Sequence, residues 1–107
     1  MPMAPKIQVL SPPLGRALNS ALRIELRFIP ATGAYIDLES LQVLNGRLRF
    51  DITERILKHA KLSKDGLLAD NAAVLPGNHR FLIRIADTLQ RQAEQEISVS
   101  IQARNEK

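Results

Sequence analysis

Along three stretches of this chain, apolar and polar residues alternate strictly. Leu22, Ile24, Leu26 and Phe28 fall on one side, against Arg23, Glu25 and Arg27. Phe81, Ile83 and Ile85 oppose Arg80, Leu82 and Arg84, and Ile97, Val99, Ile101 and Ala103 oppose Ser98, Ser100 and Gln102. Successive side chains of a strand point to opposite faces, so a period of two predicts half-buried antiparallel strands. Shorter strands fill in around them. Lys6–Leu10 runs into Ser11-Pro12-Pro13, where proline cannot donate to a ladder. Leu41 and Val43 lead to Asn45-Gly46, a pair suited to the positive φ of a tight hairpin. Leu48 and Phe50 continue beyond it, with Arg47 and Arg49 outward. Leu67-Leu68 makes a short strand between the turn signals Asp65-Gly66 and Pro76-Gly77-Asn78.

One segment breaks the alternation. Asp51-Ile52-Thr53-Glu54 reads as a capping box, and Ile52, Ile56, Leu57 and Ala60 then share one helical stripe. Glu54 stands four residues before Lys58, and the basic residues gather at the C-terminal end, where they suit the helix dipole. The expected helix covers about 51–61. Asp87 to Glu96 favours helix on propensity. It must nevertheless be a hairpin connection if the strand ending near Ala86 pairs with the one through Val99. The hairpin is the reading adopted. Together these elements predict an all-β sandwich with one short helix, whose core includes Leu26, Phe28, Val43, Phe50, Phe81, Ile83, Ile85 and Val99.

Composition narrows the picture. The 107 residues suit one domain, 1–107, and 45% hydrophobic content is enough for a packed core. Cysteine is absent, which excludes disulfides, thiolate metal sites and redox motifs. No apolar run approaches the roughly 18 residues of a membrane span. The net charge of +4 is spread thinly, and no two Lys or Arg residues are adjacent. Residues 1–50 hold six basic and three acidic groups, and residues 51–107 hold nine and eight. Such mixing describes a solvated surface better than a nucleic-acid track.

Candidate chemistry is sparse. The two histidines, His59 and His79, lack ligand spacing to each other or to a carboxylate. No nucleophile motif or glycine-rich phosphate loop occurs. Asp37, Glu39 and Asp87 lack the spacing of a calcium loop and read as turn and cap residues. The expectation is a non-enzymatic domain with no cofactor and no metal. The outward arginines Arg23, Arg27, Arg47, Arg49, Arg80 and Arg84 are the candidate patch for an anionic or protein partner.

Certain pieces carry a resemblance. They are Ile7-x-Val9-x-Ser11-Pro12, the strand Leu22–Phe28, and Ile36-Asp37-x-x-Ser40-Leu41-x-Val43 running into Gly46. Last comes Leu75-Pro76-Gly77-x-His79 with Phe81-x-Ile83-x-Ile85-Ala86-Asp87. From Ile7 to Gln102 the chain resembles a bacterial immunoglobulin-like domain of surface and periplasmic proteins. The resemblance implies an immunoglobulin-like antiparallel β-sandwich used for protein binding, adhesion or spacing, with a free sheet edge as one docking surface. It also implies a periplasmic or secreted setting, if a leader precedes Met1. The segment Met1–Lys6 has no leader pattern of its own, and without one the protein is cytoplasmic. The alternative function is a basic-patch domain that binds an acidic polymer or nucleic acid.

Overall fold

The computed structural model describes residues 4–13, 15, 17–72 and 74–102. Among the described residues nine strands form two sheets that face each other. The first has the order β1 (Lys6–Ser11), β3 (Leu22–Ile29), β7 (Gly66–Ala72), β6 (Lys61–Ser63). The second has the order β2 (Ala17–Leu18), β9 (Gln92–Ile101), β8 (Gly77–Asp87), β4 (Ile36–Asn45), β5 (Phe50–Asp51). All pairings are antiparallel except that of β2 with β9. This is an all-β sandwich.

The three alternating stretches become β3, β8 and β9, and their apolar sides turn inward. Leu26, Phe28 and Leu67 of the first sheet meet Val43, Ile83, Ile85, Ile97 and Val99 of the second in one buried cluster. Ala103 lies outside the described residues. β8 and β9 pair in unbroken register from Gly77↔Ile101 to Ala86↔Gln92, so Asp87–Glu96 is a hairpin connection followed by strand. Pairing with β8 overrides the local helical propensity. Gly66 is required where β7 passes β3, because a side chain there would collide with the Leu26 carbonyl.

Four expectations are corrected. The helix α1 covers only Thr53–Leu57. Tighter bonds from the N–H groups of His59 to Ile56 and Ala60 to Leu57 end it, and Lys61 must be extended to pair with Leu68. The capping box does not form: the cap position falls on Ile52, which has no side-chain bond. Asp51 instead accepts hydrogen bonds from Thr53 N–H and Thr53 Oγ1–H at 2.9 and 2.6 Å. Even so, Ile52, Ile56, Leu57 and Ala60 do rest against the core. Asn45-Gly46 does not make a two-residue hairpin, because Asn45 pairs with Phe50 and leaves a four-residue loop with Gly46 at φ +80° and Arg49 at φ +54°. Phe50 is therefore not core: it is 65% exposed on a two-residue edge strand.

Candidate functional site

The six candidate arginines occupy two sheets and one loop. Arg23 and Arg27 stand on the outer face of β3. Arg23 pairs with Asp70 and Glu25. Arg80 and Arg84 stand on β8, paired with Glu96 at 3.1 Å and Glu94 at 2.7 Å across to β9. Cross-strand ion pairs of this exposed kind contribute little each. Arg47 and Arg49 belong to the β4–β5 loop, and neither forms an ion pair among the described residues. Of the six, Arg47 and Arg80 line one shallow depression that also includes Gly46, His79 and Ser98. It is walled partly by backbone, since Gly46 N–H donates to the Arg80 carbonyl at 2.8 Å.

That loop carries more than charge. Leu48 is 75% exposed and Phe50 65%, so Arg47-Leu48-Arg49-Phe50 presents cationic and apolar groups in alternation. Leu75, 77% exposed, precedes β8 at the same end of the sandwich, where β4 stops at Asn45 and β7 at Ala72. His79 ties this segment down: its Nε2 lies 2.7 Å from the Leu75 carbonyl and its ring stacks on Phe81. The sequence held these residues in view only as strand and turn. Exposure became apparent once Phe50 proved to lie on a two-residue edge.

Between the sheets at this end lies a cavity of about 220 Å³. Its wall is apolar, with Asn45, Arg55 and His79 the only polar side chains among the described lining residues. Ile52 and Ile56 of the helix segment cover one side.

The opposite end is built differently. Asp87 is 2% exposed and receives the N–H groups of Leu89 and Arg91 on one oxygen and Arg91 Nε–H on the other, all at 2.8–2.9 Å. Burial pushes its carboxyl up, but the backbone bonds from Arg91 and Leu89 and the Arg91 guanidinium outweigh that and hold it below the usual range. Asp51 is also held low, by the Thr53 hydroxyl and then the Thr53 N–H. Thr88 N–H donates to the Tyr35 carbonyl and Tyr35 N–H to Thr88 Oγ1, locking the β3–β4 loop to the β8–β9 turn.

Other candidates resolve into structural duties. Ser40 bridges Asp37 and Ala86 across the bulge between Asp37 and Gln42. Asp37 accepts from Glu39 N–H. The bulge and these carboxylates blunt the β4 edge against an added strand. Among the described residues no three His, Asp or Glu side chains are grouped to hold a metal ion, and no helix is long and apolar enough to cross a membrane. Comparisons with family models, curated proteins and solved structures return no match.

Proposed function

We propose that the chain is an immunoglobulin-like interaction module that docks through its β4–β5 end. The strand order supports the fold reading. β1-β3-β7-β6 runs in the A-B-E-D order of such domains, and β9-β8-β4 in the G-F-C order. His79 supports it too: near the start of the F-position strand, its ring reaches back to a carbonyl four residues upstream. A tyrosine hydroxyl does the same at that corner of many immunoglobulin-like domains. No cysteine links the sheets, so aliphatic packing takes the place of a disulfide. An extracytoplasmic setting accompanies this reading.

The docking assignment rests on one observation: Leu48 and Phe50 are exposed on one loop beside Arg47 and Arg49, which form no ion pair among the described residues, with Leu75 exposed at the same end. At the other end Tyr35 and Leu89 are exposed too, but the arginine there, Arg91, is paired with Asp87. Exposed apolar groups gathered at one place mark interaction sites, whereas scattered ones carry no such meaning. The partner is a protein offering apolar and acidic groups. The same arginines favour the second reading, an anionic polymer, and salt separates the two. Counterion release makes polymer binding fall steeply with salt, while apolar docking holds. Extract of the source organism should be passed over the immobilised domain at low and high salt. We expect a protein retained at high salt and released by the Leu48→Ser/Phe50→Ser variant. Retention of nucleic acid or polyanion at low salt only, abolished by Arg47→Gln/Arg49→Gln, would establish the rival.

A further inference from the structure

We infer that the cavity between the sheets is a binding site for a medium-chain carboxylate, its chain inside and its head group at Arg55. Volume comes first. A sealed apolar cavity of roughly 150 Å³ takes benzene, so about 220 Å³ has room for roughly eight carbons in a row or ring. The wall fits a hydrocarbon: Ile83, Ile97 and Val99 line it from the second sheet, and Leu22 and Leu67 from the first. All five are buried.

The polar groups are placed at the rim. Leu75 and Arg55 line the cavity and are also exposed, so they mark its opening to solvent. Arg55 forms no ion pair among the described residues. A guanidinium at the mouth of an apolar cleft is complementary to a carboxylate on an apolar tail. Length and charge together define the class: a longer chain exceeds the volume, and an uncharged one forgoes the arginine. The inference does not rest on the docking assignment: it uses Arg55 and the cavity wall, and Leu75 is the one residue the two share.

Octanoate and octanol are the two probes, titrated into the full chain and read by methyl NMR shifts and calorimetry. Octanoate should bind saturably at one site, with shifts at the buried methyls of Ile83 and Ile97. Octanol should bind about fivefold more weakly, the scale of one exposed ion pair. Arg55→Gln should bring octanoate down to the level of octanol and leave octanol unchanged. Ala72→Leu, or Val74→Phe should the first fail to fold, fills the space from half-buried lining positions and should abolish both. Shifts confined to surface methyls, or no saturable binding, would overturn the inference. So would filling variants that bind as before, or an octanoate preference that survives Arg55→Gln.

Discussion

The two ends of the sandwich solve the same problem in opposite ways. At the β8–β9 turn, every charge is used internally: Asp87 is buried, holds two backbone N–H groups and the Arg91 guanidinium, and sits beside a loop locked by Tyr35 and Thr88. At the β4–β5 loop the arginines form no ion pair among the described residues and the sheets part around a cavity, whereas exposed apolar side chains occur at both ends, Leu48 and Phe50 here and Tyr35 and Leu89 there. Satisfied polar groups make an end rigid and self-contained. Unused ones leave an end able to engage something else. The difference separates an end whose charges are paired within the fold from an end whose cations are not.

The strand β8 joins the two ends and offers the largest test. Ile85, next to the closed end, is 1% exposed. Ile85→Ala should cost about 2–5 kcal/mol in denaturant unfolding. Leu48→Ala at the open end should change stability by no more than about 0.5 kcal/mol. Comparable losses at both sites would erase the comparison. Four positions back along β8, Phe81 is only partly buried and lines the cavity. Phe81→Ala should therefore cost about 1–3 kcal/mol, below the range of roughly 3–5 for a fully enclosed phenylalanine.

Much of this contrast was written in the alternation of residues. Leu22 to Phe28, Phe81 to Ile85 and Ile97 to Ile101 each turn one face inward, with Ile24 and Phe81 only partly buried, because strand periodicity is local and survives any choice of partner strand. Sequence patterns fail where partner strands decide. Phe50 alternates like a core residue, but its strand pairs only through Asn45 and Leu44, so nothing covers it. The helix stops early because β6 competes for Lys61. The candidate arginines were readable as outward, yet which sheet each one faces depends on long-range order. The cavity had no sequence signal at all. It is a volume left between residues far apart in the chain, such as Leu22, Ile56 and Ile97.

The charge at the closed end gives a pH test of smaller size. The carboxyl of Asp87 is held below its unfolded value of about 3.9, so its contribution is fully present above that pH. That contribution disappears as pH falls through the lower folded value. Asp51 acts with the same sign at the start of the helix segment. Unfolding free energy should therefore decline below about pH 4. Asp87→Asn should flatten part of that decline and lower stability at neutral pH, while Asp51→Asn should flatten a smaller share. Urea titrations between neutral and acid pH measure both. A wild-type decline that Asp87→Asn leaves unaltered would remove the ion pair from the account of the closed end.

The smallest expected effect is the sharpest on function. Arg49 and Gln90 both hold positive φ, +54° and +63°, one at each end. An L-residue there costs about 1–2 kcal/mol, and glycine escapes that cost while losing roughly 0.5–1 kcal/mol of chain entropy on folding. Either residue changed to glycine should thus leave stability the same or raise it by up to about 1.5 kcal/mol. Gln90→Gly should do nothing else, because that turn is organised by Asp87. Arg49→Gly should also weaken retention of the protein partner, since it removes one of the loop's two unpaired cations. Thermal unfolding and partner retention measured on the two variants test this directly. Equal retention by both would show that Arg49 is a turn residue, and that the docking surface lies with Leu48, Phe50 and Leu75 alone.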